Sequence, residues 1–157
     1  MQKTAKIAAC LLLLSMPLVM GCGKAGMFGE AVMEISEMGV SMNLPAGWRL
    51  DNPRMCHKGD NTCLLMEEGL EGQPFEACAA KMSKEFGSAV ISESKLTING
   101  HQAIKAVMNT PDGNKLLRVY IHKGDIIVVV SFVILKDEYP ANESAVQQSI
   151  QSLKVKP

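Results

Sequence analysis

The chain has 157 residues, 47% of them hydrophobic, and its 16 lysines and arginines are balanced by 16 aspartates and glutamates. The length suits one domain with its own core. The balanced charge argues against nucleic acid as a partner, because phosphate binding needs a basic patch and the sequence shows none.

The start of the chain predicts an export signal. Lys3 and Lys6 precede an almost wholly apolar segment, residues 7–20, which ends at Gly21 and Cys22. A basic start, a short apolar stretch and a small residue at its end are typical of a secretory signal peptide. The apolar segment is shorter than the roughly 18 residues that an uncleaved membrane anchor requires. We therefore predict that residues 1–21 are a signal peptide.

The end of this signal resembles the lipobox of bacterial lipoproteins. Its last residues are an aliphatic residue, a variable one, a small one and a cysteine, namely Val19, Met20, Gly21 and Cys22. The resemblance implies cleavage between Gly21 and Cys22, followed by acylation of Cys22 with diacylglycerol and a fatty acid such as palmitate. Several acyl chains bury enough methylene groups to hold a domain stably on a membrane. A conventional signal, with Cys22 left as a thiol, is the alternative.

Residues 22–37 contain glycine and methionine without a sustained period, and we predict that they form a tether. One domain is expected over residues 38–157. Loss of the signal removes two lysines and leaves 14 basic and 16 acidic residues, so the mature chain is slightly acidic. Gly23, rather than aspartate, follows the lipobox cysteine. In a host with two membranes, that resembles the pattern of lipoproteins sent to the periplasmic face of the outer membrane.

The first half of the domain combines short strands with one helix. Residues 40–44 alternate between apolar and polar side chains, Trp48 begins a second strand, and residues 62–66 form a third candidate strand after a loop. Apolar residues at positions 75, 78, 79, 82 and 86 form one helical stripe. Pro74 suits the start of that helix, and Gly87 suits its end.

The second half reads as four antiparallel strands and a final helix. Strands are predicted over residues 90–98, 101–110, 115–122 and 126–135. Asn99-Gly100 between the first two is a strong hairpin signal. The segment 126–135 is a continuous apolar run rich in β-branched residues, which predicts a central strand buried on both faces. The last helix begins near Tyr139-Pro140.

This order predicts an α+β sandwich, in which an antiparallel β-sheet of about six to seven strands packs with two helices. Residues 38–156 resemble a PsbP-like domain, the fold shared with DcrB-type periplasmic lipoproteins. The resemblance is carried by the strand that ends in Leu44-Pro45-Ala46-Gly47-Trp48, the midchain helix, the hairpin series, and the terminal helix that closes at Ser152-Leu153-Lys154. It implies a non-catalytic protein that binds or supports larger assemblies.

Three cysteines remain besides Cys22, an odd number for an exported chain: Cys56, Cys63 and Cys78. One disulfide and one thiol are expected in an oxidising compartment. Cys56 and Cys63 flank a short loop, so we predict a Cys56–Cys63 bridge, with the other two pairings still open. Cys78 lies on the helical stripe, where a buried and inert thiol is expected.

The sequence lacks the common enzyme signatures, and we predict a protein that is not an enzyme and has no cofactor. The expected function is that of an envelope binding or assembly module, held by the lipid on Cys22, with an unidentified envelope protein as partner. Two alternatives stay open. A metal or small-ligand carrier would use the loop residues Cys56, His57, Asp60 and Cys63, whose types suit zinc or copper. A hydrolase would use His101 or His122.

Overall fold

The computed structural model describes residues 31–157. The predicted signal peptide, its cleavage site at Gly21 and the lipid attachment site at Cys22 lie outside the described residues. In chain order, the elements are β1 (Val32–Ile35), β2 (Val40–Asn43), β3 (Arg49–Asn52), β4 (Met55–Lys58), β5 (Asn61–Gly69), α1 (Phe75–Lys84), β6 (Ala89–Ile98), β7 (His101–Asn109), β8 (Lys115–Lys123), β9 (Ile126–Ile134), α2 (Tyr139–Gln151) and β10 (Lys154–Val155). Neither helix in this part of the chain is long and apolar enough to cross a membrane.

Seven strands form one antiparallel sheet in the order β3-β4-β5-β9-β8-β7-β6. The apolar strand β9 is the middle strand, paired with β5 on one side and β8 on the other. Its residues from Ile127 to Phe132 are all buried. A strand in that position is covered on both faces, which explains its unbroken apolar sequence and confirms the predicted central strand.

The side chains of β8 show how the two faces of this sheet are covered. Leu117 and Val119 point to the side that packs against α2, which we call the α2 face. Leu116 and Tyr120 point to the opposite side, which packs against α1 and which we call the α1 face. The α+β sandwich predicted from the sequence is therefore confirmed, with a separate apolar core on each face of the sheet.

A second, three-stranded sheet in the order β1-β2-β10 completes the core on the α2 face. Here the structure corrects the predicted domain boundary: Met33 and Ile35 of β1 are buried in the core, although they lie within the predicted tether 22–37. The sequence of this strand, Val-Met-Glu-Ile, does not alternate cleanly between apolar and polar side chains, unlike that of β2. The two-residue strand β10, also missed, extends the chain after α2 and pairs with β2.

The segment between Asn52 and Asn61, predicted as a loop, contains the strand β4. Met55–Lys58 pairs with β5 through a two-residue turn at Gly59-Asp60, where Gly59 has a φ of +58°. The sequence of β4, Met-Cys-His-Lys, does not alternate clearly between apolar and polar side chains. The strand is identified by its pairing rather than by its composition.

The side chain of Asn61 links this hairpin by hydrogen bonds to the chain at the carboxyl end of β9. The residue is fully buried, and its amide donates to the Lys58 carbonyl at 3.0 Å and to the Glu138 carboxylate at 2.5 Å. Its side-chain oxygen accepts from the backbone N–H of Leu135 at 2.8 Å. A buried amide with all of these partners is a strong link, because each lost bond would leave a polar group unsatisfied.

The helix α1 ends two residues earlier than predicted, at Lys84, and continues as a 3-10 turn over Glu85–Gly87. Beneath its last turn, the buried guanidinium of Arg118 donates from Nη1 to the Met82 carbonyl at 2.7 Å. A cation is favourable there, because the last carbonyls of a helix lack partners and carry partial negative charge. The hydroxyls of Ser83 and Tyr120 also meet at 2.9 Å.

Candidate functional site

The predicted cysteine pair lies on two neighbouring strands. Cys56 on β4 stands directly opposite Cys63 on β5, and both are fully buried on the α2 face. Arg54 and Leu65 are the opposite residues two positions away from this pair, and there the backbone N–H of Leu65 donates to the Arg54 carbonyl at 2.8 Å. Because the pattern repeats every two residues, Cys56 and Cys63 are a hydrogen-bonded pair, with an expected Cα separation of about 5.5 Å. That separation is within the range that a disulfide spans.

The structure records both thiols as free, so the Cys56–Cys63 bridge stays a prediction. Burial raises the pKa of the Cys63 thiol well above its ordinary value, and the hydrogen bond and charge of Cys56 raise it further. Trp48 and Phe132 pack in the same core cluster, with their rings edge to face at 6.0 Å. A thiol held protonated in apolar surroundings is a poor nucleophile.

Cys78 is separated from this pair by the sheet. Its helix α1 packs on the α1 face, whereas Cys56 and Cys63 point to the α2 face. The thiol is half-buried and packs against the core of that side. Of the three pairings left open by the sequence, the fold therefore favours only the cross-strand one.

The four residues of the metal-carrier hypothesis do not converge. Alternation along β4 sends His57 to the opposite face from Cys56 and Cys63, and Asp60 lies in the turn. The imidazole is instead held by Asp51, whose two carboxylate oxygens lie 2.7 and 2.8 Å from Nδ1. Within residues 31–157, no group of three or more His, Cys, Asp or Glu side chains is placed to hold a metal ion.

The two histidines of the hydrolase hypothesis have structural contacts. His101 Nδ1 lies 3.1 Å from the backbone carbonyl of His122, which makes that nitrogen the donor. The ring of His122 stacks on Phe75, with centroids 5.1 Å apart and planes at 9°. The carboxylate-bound histidine is His57, which the sequence analysis did not single out as a catalytic candidate, because its partner Asp51 comes close only through the pairing of β3 with β4.

A concave surface lies between α2 and the β6–β7 hairpin. We call it the Lys105 groove, and its volume is about 480 Å³. Its apolar lining comes from β6, from α2 and from the chain just after α2: Leu96, Ile98, Ile150 and Leu153. Lys105 is the one charged side chain among its lining residues, and its ammonium donates to the Gln147 side chain at 3.3 Å.

The groove was not predicted, since its residues are spread over 58 positions of sequence, from Leu96 to Leu153. In the sequence Leu96 and Ile98 are ordinary strand residues, and Gln147 is an ordinary polar residue of a helix. Only the packing of α2 beside the hairpin brings them to one surface. The groove has the size of a ligand-binding site. Its lining is mixed, because five of its nine residues are polar or charged: Thr97, Asn99, Lys105, Gln147 and Gln151.

A smaller cavity of about 310 Å³ lies on the other flank of α2, between this helix and the β2–β3 connection. Trp48 lines it, together with Ala31, the first described residue. The carbonyl of Ala31 accepts from the backbone N–H of Leu44 at 2.8 Å. The chain therefore enters the domain at this flank, on the opposite side of α2 from the Lys105 groove.

Three solved structures are similar to this fold. CyanoP, the cyanobacterial PsbP of Synechocystis sp. PCC 6803, matches with a TM-score of 0.59 at 10% identity, over 88% of this chain and 99% of that chain. LpqN of Mycobacterium tuberculosis, which is involved in cell envelope biogenesis, matches with a TM-score of 0.58 at 12% identity, over 75% and 83%. PA94 of Pseudomonas aeruginosa, a putative regulator of unknown function, matches with a TM-score of 0.55 at 18% identity, over 81% and 97%.

No protein-family model matches the sequence, and no curated protein matches it. At identities of 10 to 18%, the structural matches establish the architecture and leave activity open. They agree with the arrangement of elements described above: a seven-stranded antiparallel sheet with a helix on each face. The described chain therefore has the PsbP-like α+β fold that its sequence resembles.

Proposed function

We propose that this protein is a lipid-anchored module of the bacterial cell envelope that binds a protein partner without catalysing a reaction. The observation that carries the proposal is the Lys105 groove, a concave surface that combines apolar and polar lining residues with one cation. The likeness to LpqN, which is involved in cell envelope biogenesis, supports the setting. The lipobox-like residues ending at Cys22 support the anchor.

The chemistry of the groove indicates what it would bind. The half-buried Leu96 and Ile98 offer apolar contact, and Lys105 offers a positive charge beside them. An extended or helical protein segment with two apolar side chains and one carboxylate satisfies both features. The apolar contacts supply most of the affinity, and the ammonium fixes the orientation of the segment.

The length of the tether sets where this binding takes place. Nine residue steps separate Cys22 from Ala31, where the described domain begins. A fully extended chain advances at most about 3.6 Å per residue, so Ala31 stays within roughly 32 Å of the acyl anchor. The proposed binding therefore takes place next to the membrane surface.

Replacing Cys22 with serine tests the anchor. The variant is expected to accumulate as an uncleaved precursor or to leave the membrane fraction, because serine cannot carry the thioether-linked lipid. Cys78→Ser, which changes another cysteine far from the signal, serves as the control and should fractionate like the wild type. Unchanged processing and membrane retention of the Cys22 variant would contradict the lipid anchor.

A photo-crosslinking amino acid tests the groove. Placed in the full chain at Gln151, an exposed residue that lines the Lys105 groove, it is expected to give one adduct of defined mass in intact cells. The same group at Ala141, exposed on the same helix but outside the groove lining, is the matched control. Lys105→Glu should abolish the adduct at Gln151. Equal adducts from both positions, or an adduct unaffected by Lys105→Glu, would contradict binding in the groove.

A further inference from the structure

The strand β6 forms one edge of the seven-stranded sheet, and it is unusually open. Eight of its ten residues are exposed: the seven consecutive residues 89–95, and Thr97. Val90 and Ile91, both large and apolar, are 45% and 52% exposed. An edge strand of this length presents a row of backbone N–H and C=O groups to any strand that can pair with it.

The hairpin with β7 determines which backbone groups of β6 face outward. Ile98 and His101 close the two-residue turn Asn99-Gly100, whose φ angles of +48° and +86° are those of a type I′ turn. The closing pair of such a hairpin is hydrogen-bonded, and the pattern repeats every two residues. Ser94 and Leu96 therefore bond toward β7, whereas Glu93, Lys95 and Thr97 direct their backbone groups away from the sheet.

We propose that β6 pairs with β6 of a second copy of this chain, antiparallel and centred on Ser94, to form a continuous sheet across a symmetric dimer. In this register Glu93 stands opposite Lys95 of the second copy, and Lys95 opposite Glu93. All four of these residues have outward-facing backbone groups, so both pairs are hydrogen-bonded. Residues directly opposite in an antiparallel pair share a face, which brings each carboxylate beside an ammonium.

Charge selects this register over its neighbours. Shifting the centre by one residue toward the carboxyl end places Lys95 opposite Lys95, and shifting it by one toward the amino end places Glu93 opposite Glu93. Like charges directly opposite each other destabilise a strand pair, whereas opposite charges stabilise it. A symmetric interface requires a self-complementary surface, and the alternation of Glu93, Ser94 and Lys95 provides one.

The surroundings of β6 are compatible with this dimer. The ammonium of Lys95 lies 3.9 Å from Glu76 of α1, and both side chains are largely exposed, so Lys95 can also reach a second carboxylate. The irregularity between Val90 and Ser92 lies outside the central pairs. At the ends of the interface, the exposed Val90 and Ile91 come against Ile98 and Thr97 of the second copy.

Lysines and bulges on an edge strand also serve to prevent association, and that role predicts a monomer. Sedimentation velocity of the full chain in detergent separates the two possibilities. We expect a concentration-dependent dimer in the wild type. Glu93→Lys and Lys95→Glu should each raise its dissociation constant by about tenfold, and the double variant with both changes should restore it. A wild-type monomer at all concentrations, or a double variant as weak as the single ones, would overturn the proposal.

Disulfide trapping tests the register. Opposite Ser94 residues form a non-hydrogen-bonded pair with an expected Cα separation of about 4.5 Å, which a disulfide spans. Ser94→Cys should therefore give a covalent dimer with glutathione disulfide, above the background of the wild-type cysteines. Ser92→Cys is the matched control on the same face, with the two thiols about 13 Å apart along the strands. Equal trapping by both variants would refute the register.

Discussion

Oxidation of Cys56 and Cys63 to a disulfide is expected to stabilise the domain by a measurable amount. The bond would close a loop of eight residues, from Cys56 to Cys63. In the chain-entropy relation, such a loop corresponds to about 2.5 kcal/mol at 25 °C. With an unfolding entropy of about 2.1 cal/mol/K per residue over residues 31–157, the melting temperature should rise by roughly 9 °C. The hairpin is already formed, so little rearrangement opposes the bond.

The assay compares the full chain refolded with glutathione disulfide and with reduced glutathione. The two thiols lose two protons and two electrons, and each glutathione disulfide is reduced to two glutathione molecules. Mass spectrometry counts the bond, and circular dichroism gives the melting temperature. Cys78→Ser should keep the full shift, whereas Cys63→Ser should abolish it. A refolded chain with all thiols free, or a bond that leaves the melting temperature unchanged, would refute the geometric argument.

Three further predictions concern stability and thiol reactivity. Asn61→Ala removes three buried hydrogen bonds and should lower the unfolding free energy by about 3 kcal/mol in urea titrations, a loss that a change at the exposed Asp137, such as Asp137→Ala, should not produce. Burial, with the hydrogen bond and charge of Glu143, raises the pKa of Tyr139 from 10.0 to about 12. The raised pKa stabilises the folded state below pH 10, and this contribution to the unfolding free energy should be lost as the pH rises from 10 to 12. The variant Tyr139→Phe should not show this pH dependence. In the reduced native chain, iodoacetamide should modify the half-buried Cys78 before either core cysteine, and equal rates would contradict the burial described here.

The run of strands from β6 to β9 and both helices were predictable from the sequence. Alternating side chains, the Asn99-Gly100 turn and the helical stripe that begins at Phe75 are local signals, and the structure confirms these elements within about two residues at most of their ends. The exception is α2, which ends at Gln151 rather than near Lys154. The strands β1, β4 and β10 were missed, although β2 and β3, which are no longer than β1 and β4, were predicted. The sequences of β1 and β4 lack a clean alternation of apolar and polar side chains, and β10 has only two residues. These three strands are identified by their pairing with β2 or β5.

The cysteine pair and the Lys105 groove also differ in how far the sequence indicates them. The short segment between Cys56 and Cys63 indicated that the two thiols could meet, but the strand β4, which places them directly opposite each other, was not predicted. The Lys105 groove joins β6, β7 and α2, and no local pattern indicates that Lys105 and Gln147 will meet. The contact between His57 and Asp51 likewise depends on how β3 pairs with β4.

The sequence by itself determined the α+β architecture and the central strand, because hydrophobic periodicity and turn residues are signals carried by neighbouring positions. The membrane address at Cys22 stays a prediction from a motif of the same local kind. Tertiary structure alone decided the order of the strands, the separation of Cys78 from the other thiols, the groove beside α2 and the open edge at β6. These features depend on which elements pack together, and that choice minimises exposed apolar surface over the whole chain rather than within any one segment.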